Sequence, residues 1–172
     1  MSKYVQSVKM PPGAAMDWPL SLVRLGGSHP INMQIRSADW FGFLTHFHDD
    51  RTFACPGADV CLLHEAGHQA RWCGTVICRV ANARGDSLFP FTQAIVPTLR
   101  SALCEYGTLA GVVCTIRRRS GNVRSAMVCT VNHFRPGGFR TYTDEQVRHQ
   151  TERIFGATPA AKIHKKRGAC TQ

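Results

Sequence analysis

Alternating apolar and polar runs, one strong helical pattern late in the chain, and a ligand-rich loop between strand-like segments predict a mainly β protein. At 172 residues, with 44% hydrophobic content, the chain has the length of one ordinary domain and enough apolar side chains for a core. It contains no internal repeat and no long low-complexity segment.

Residues 1–16 are polar around Pro11-Pro12-Gly13 and read as a flexible lead. Leu20 to Leu25 is a short apolar stretch closed by Gly26-Gly27. Ile31-Asn-Met33-Gln-Ile35 alternates as a strand does, and Trp40-Phe41-Gly-Phe43-Leu44 continues the extended pattern. After the ligand-rich loop, Arg71 to Val80 reads as the next strand, closed by the turn signal Asn82 to Asp86.

Thr92 to Tyr106 carries Ile95, Leu99, Ala102, Leu103 and Tyr106 at helical spacing. Pro97 falls near its start and Gly107 is its stop. Leu109 to Ile116 and Val123 to Val131 form a strand pair across Arg119-Ser120-Gly121-Asn122, and Asp144 to Phe155 has a thin helical stripe. A helix between the third and fourth of five strands is the connectivity of an OB-fold. The expected architecture is an OB-fold-like five-stranded barrel over 17–142 with one or two short helices. A loop is inserted at 46–70, a C-terminal helix occupies 143–156, and a basic tail fills 157–172.

Two cysteines and three histidines fall within the nineteen residues from His46 to His64. A short polar loop cannot bury enough apolar surface to order itself. Four thiolate and imidazole ligands on one zinc ion would order it, because they satisfy a tetrahedral preference. Cys55, Cys61 and His64 supply three ligands, the last two from one tight turn. The fourth is His46 or His48, one of which ties the end of the preceding strand to the loop; His46 is taken into the set, and His68 and Cys73 are spare candidates. The run His46-Phe-His48-Asp-Asp-Arg51 also approaches the His-x-His-x-Asp-His pattern of metallo-β-lactamase-like hydrolases. Arg51 stands where that pattern needs its final histidine, and a guanidinium cannot ligate a cation.

The formal charge is +10, and it is clustered. Between Ala110 and Arg140 there are six arginines and no acid, and the tail adds Lys162, Lys165, Lys166 and Arg167. Such a face suits a polyanion, nucleic acid first. Sequence-neutral binding of a single strand needs cations along the phosphates and flat side chains under the bases. The candidate cations are Arg71, Arg79, Arg117, Arg118, Arg119, Arg124 and Arg135. The stacking candidates are Trp40, Phe41, Phe43, Trp72 and Phe134; core packing is the stronger reading for Phe43 and Phe134, and Trp72, beside Arg71, is the foremost stacking residue.

The run Thr45-His46, Cys55-Pro-Gly, Cys61-x-x-His64 and Arg71-Trp72-x-Gly74, followed by Tyr106-Gly107-x-Leu109-x-Gly111 and Arg117-Arg118-Arg119-x-Gly121, resembles the zinc-bearing OB-fold single-stranded-DNA-binding proteins of tailed bacteriophages and related mobile elements. The resemblance spans roughly residues 45–131. It implies one structural zinc held by a His-Cys-Cys-Cys set, to which His46, Cys55 and Cys61 correspond, with His64 in place of the last cysteine. The tail departs from that family, being basic where such proteins often end in acid.

The resulting expectation is a non-enzymatic protein that coats single-stranded DNA, or alternatively RNA, during replication or recombination, with self-association along the strand. A zinc-containing adaptor docking on RNA or a ribonucleoprotein is the alternative. No nucleophile–base pair, phosphate loop or paired carboxylates stand out. No secretion signal or membrane-spanning run is evident, and Cys78, Cys104, Cys114 and Cys129 fall in apolar segments as core filler. A reducing cytoplasmic setting follows, which is the host cytoplasm for a viral protein.

Overall fold

The long strand β5 (Arg71–Val80) is the axis on which the other elements are assembled. The computed structural model describes residues 20–27 and 29–156, so the expected lead at 1–16 and the basic tail at 157–172 lie outside the described residues. Seven further strands complete one mixed sheet: β1 (Ser21–Leu22), β2 (Ile31–Ile35), β3 (Phe41–His48), β4 (Arg51–Ala54), β6 (Ser87–Phe91), β7 (Val112–Arg118) and β8 (Met127–Phe134). The helices are the single turn α1 (Leu62–Glu65), α2 (Val96–Tyr106) and α3 (Asp144–Phe155), with two short 3-10 turns. The described protein is therefore mainly β with few, short helices.

The sheet runs β1-β6-β5-β2-β7-β8, with β3 joined to β5 and carrying β4. One side of β5 takes β6 over Gly74–Cys78. Its other side takes β3 over Arg71–Thr75 and β2 over Cys78–Val80, so β2 and β3 lie end to end along one neighbour. Between them the chain loops outward at residues 36–40, and Ser37 Oγ accepts from Ile77 N at 3.3 Å where the ladder breaks.

This sheet is larger than the expected five strands, and among the described residues it is open rather than closed. Two strands escape sequence patterning. β6 contains Pro90, which argues against an interior strand. Yet β1 pairs β6 only at Ser87 and Leu88, so at Pro90 the strand has a partner on one side alone. β4 lies inside the segment read as a loop. Asp49 and Asp50 both have positive φ, 47° and 58°, and form a two-residue turn that sets His48 opposite Arg51.

Alternation divides the side chains between two faces. Met33, Ile35, Val76, Cys78, Phe89, Phe91, Val112, Cys114 and Ile116 point inward with Leu99 and Ala102 of α2 and form the main core. On the opposite face Ile77, Leu88, Phe41 and Phe43 pack beneath Val147 and Phe155 of α3. Helix α3 matches its expected range. It starts with a reciprocal cap, in which Thr143 Oγ1 accepts from Gln146 N and Gln146 Oε1 accepts from Thr143 N. The β7–β8 turn is longer than expected, spanning residues 119–126. Arg118 Nη1 donates to Ser125 O at 2.8 Å and holds that loop folded. Cys104, expected as core filler, is exposed on α2, whereas Cys78, Cys114 and Cys129 are buried.

Gly42 and Gly74 pair across β3 and β5, and the Trp72 indole lies over both. A Cβ on Gly74 would collide with Phe91 and stand 2.6 Å from Trp72 Cη2. Gly74→Ala should therefore lower unfolding free energy by about 1–3 kcal/mol in urea titrations. Gly26→Ala, where a Cβ would meet nothing within 4 Å, should change it by less than about 0.5 kcal/mol.

Candidate functional site

The β3–β4 hairpin and the segment after it bring four ligating side chains to one point. His46 comes from β3, Cys55 follows β4, Cys61 precedes α1, and His64 lies within α1. Their donor atoms all lie within 4.8 Å of one another. Cys61 Sγ is 3.4 Å from His46 Nε2, and Cys55 Sγ is 3.4 Å from His64 Nδ1. A tetrahedral centre with metal–ligand bonds of about 2.0–2.3 Å has edges of about 3.3–3.8 Å, so both separations fit a shared ion.

Local backbone geometry explains why these four converge. The turn at Asp49-Asp50 returns the chain along β3, and Cys55 N donates to Leu44 O at 2.7 Å, which fixes Cys55 beside the base of the hairpin. Gly57 then turns the chain at φ 120°, and the turn of α1 closes with Glu65 N donating to Cys61 O. Leu63 is fully buried beside Cys61 and is the small lobe's main apolar anchor. His46 and His48 lie on the same face of β3, but only His46 reaches the cluster. The ring of His48 instead stands edge-on to His68, 5.3 Å away. Cys73 also lies outside the cluster; burial pushes its thiol up to about 11.

The electrostatics of the cluster suit a cation. Burial lowers the His46 pKa, and the nearby His64 and His68 lower it further, so the ring stays neutral as a ligand must. Burial raises the Cys55 pKa, and Cys61 adds to the rise against a backbone hydrogen bond from Gly57. The Cys55 thiol thus resists ionisation unless a positive ion takes up its charge. The four residues could hold one metal ion.

A cleft of about 690 Å³ opens beside this lobe, between the β3–β4 hairpin and the edge of β5 and β6. Arg71 and Trp72 line it, as do Arg24, Phe47, Arg51 and Phe53. Trp72 is half-buried, its ring edge-on to Phe91 at 5.8 Å. These last four residues were not legible as site residues. Arg24 and Phe53 sit in short, unremarkable segments, and Arg51 and Phe47 gain meaning only from the hairpin.

The other expected binding residues lie elsewhere. Trp40 packs against the main core, Phe134 stacks on Tyr106 at 4.6 Å, and Phe41 and Phe43 stack on each other beneath α3. Arg117, Arg119 and Arg124 are exposed on the β7–β8 hairpin, while Arg118 is engaged in its loop. Arg79 is paired with Asp86, and Arg135 is exposed just past β8. Comparison of the chain with protein-family models, curated proteins and solved structures finds no match. No helix among the described residues is long and apolar enough to cross a membrane.

Elemental analysis of native protein should find about one metal ion per chain, and Cys61→Ser should reduce that occupancy sharply. Removing the metal with a chelator should lower the Tm by about 2–4 °C for each kcal/mol of metal-linked stability lost, as read by thermal denaturation.

Proposed function

We propose that this protein binds single-stranded nucleic acid, DNA in the first instance, without strong sequence preference, and that its metal is a structural zinc. The observation that carries the reading is the composition of the cleft. Three cations, Arg24, Arg51 and Arg71, line it with one carboxylate, Asp50, and five aromatic rings, of which Phe47, Phe53 and Trp72 are not buried. Guanidiniums along a strand's phosphates and flat rings beneath its bases are the two requirements of sequence-neutral binding. Phe47 is 62% exposed, which leaves its ring open to a base entering the cleft.

Strand order supports the same reading. The path β6-β5-β2-β7-β8, with α2 between β6 and β7, matches the connectivity of an OB-type barrel opened between its third and fifth strands. The cleft then falls between the metal lobe and the start of β8, where Met127 contributes to its wall. Two thiolates and two imidazoles suit zinc, and a complete tetrahedral set suits a structural rather than a catalytic ion. In this reading the lobe is a rigid wall of the cleft, and coating of exposed strands in replication or recombination is the role that fits.

Competition among single-stranded DNA, duplex and RNA at two salt concentrations tests the proposal. Single strands should bind most tightly, with affinity falling steeply as salt rises. Trp72→Ala should raise the single-strand Kd by about 5–150-fold, the equivalent of roughly 1–3 kcal/mol for a stacked base. Phe47→Ala should also weaken binding with little change in Tm. Equal affinity for duplex, or loss of binding on deleting residues 157–172 while both cleft variants bind normally, would overturn the cleft and favour docking through the tail.

A further inference from the structure

At the other end of β5, about 30 Å from the start of the strand by its ten-residue length, a second concavity of about 290 Å³ opens. Arg36, Arg79 and Arg135 line it with Gln34 and His133, and no carboxylate does. The three arginines come from distant parts of the chain: just after β2, near the end of β5 and just after β8. Only the sheet order makes them neighbours.

Arg36 is the unusual member. It is 7% exposed, and its Nε and Nη1 are buried without a hydrogen-bond acceptor. The nearest acid, Asp86, is already engaged. Its Oδ1 accepts from Arg79 Nε at 2.8 Å and its Oδ2 accepts from Tyr142 OH at 2.8 Å, while Arg36 Nε stays 3.9 Å away. The Phe139 ring lies 4.1 Å from the Arg36 guanidinium carbon and covers one of its sides. Burial depresses the Arg36 pKa, yet a guanidinium keeps its charge in a protein. Three guanidiniums against one carboxylate leave a local charge of +2 (three minus one). A desolvated cation with unmet donors is costly until an anion with several acceptor oxygens reaches it.

We propose that this concavity is a phosphoryl-binding site, with Arg36 at its base and Arg79 and Arg135 at its mouth. A phosphate monoester carries close to two negative charges and three strong acceptor oxygens, matching both the charge excess and the forked donors. The volume suits one phosphoryl group with part of its sugar. The group belongs either to a free nucleotide or to a nucleic-acid strand. This site stands independently of the cleft beside the metal lobe.

Calorimetric titration of the full chain with inorganic phosphate, a 5′-mononucleotide and the corresponding nucleoside tests it. The two phosphate-bearing probes should bind saturably and the nucleoside should not. Arg135 meets the fold through its main chain, donating from N to Gly111 O and accepting at O from Gln34 Nε2, so Arg135→Gln should fold normally. It should raise the phosphate Kd by about tenfold or more, the effect of losing one charge-assisted contact. Arg36→Gln should abolish binding if circular dichroism shows it folded. Arg100→Gln, an exposed charge on α2, should leave binding unchanged. Absence of saturable phosphate binding, or equal affinity in wild type and Arg135→Gln, overturns the site.

A single-stranded oligonucleotide that weakens in Arg135→Gln by the same factor assigns the phosphate to a strand. Loss confined to the mononucleotide assigns it to a free nucleotide. Because inorganic phosphate does not require the cleft, failure of single strands to bind would leave this test readable.

Discussion

Paired on both edges and buried at its centre from Gly74 to Cys78, β5 is the constraint on which the remaining structure depends. A strand of this length can take two shorter strands end to end on one side, and here β3 and β2 do so. The first continues into the metal lobe and the second continues the sheet toward β7 and β8. The break between them is stabilised by Arg36, Ser37 and Tyr142, whose main-chain groups bond to Ile77 and to one another. That junction also places Arg36 at the head of the second concavity.

The register of β5 has consequences at both ends. At its start, the Gly42–Gly74 pair leaves room for the Trp72 indole, so one aromatic serves the core and still lines the cleft. At its end, Arg79 and Asp86 meet across the turn to β6 and draw Tyr142 into the same polar group. Helix α3 then covers the outer face, with Thr151 Oγ1 hydrogen-bonded to Thr75 Oγ1 at 2.7 Å within the buried contact. A buried hydroxyl pair of this kind satisfies both groups and fixes the helix's position on the sheet.

The metal lobe is a small structure that cannot stand on hydrophobic burial alone. Its apolar anchor is little more than Leu63 and the cysteines, and its outer surface exposes Phe47 and Val60. A metal ion held by His46, Cys55, Cys61 and His64 would compensate through directional bonds where a core is missing. This division of labour explains why the hairpin tip carries charged and aromatic residues: its side chains are released from packing and can line a cleft.

Sequence alone identified the strands β2, β5, β7 and β8, the two longer helices and three members of the His/Cys cluster, Cys55, Cys61 and His64. Those signals are local: alternation, helical spacing, and cysteines and histidines spaced around a tight turn. It also assigned the excess of arginine. Strand β6 was hidden because Pro90 opposes a strand except where one edge is unpaired. β4 was hidden because an Asp-Asp turn is not a strong hairpin signal. The choice of His46 over His48 could not be made from spacing, since both share one face of β3 and differ only in distance from Cys61. Tertiary structure alone decided which arginines lie together. Residues 24, 51 and 71 meet at one end of β5 and residues 36, 79 and 135 at the other, because sheet order is set by long-range pairing that no local pattern encodes.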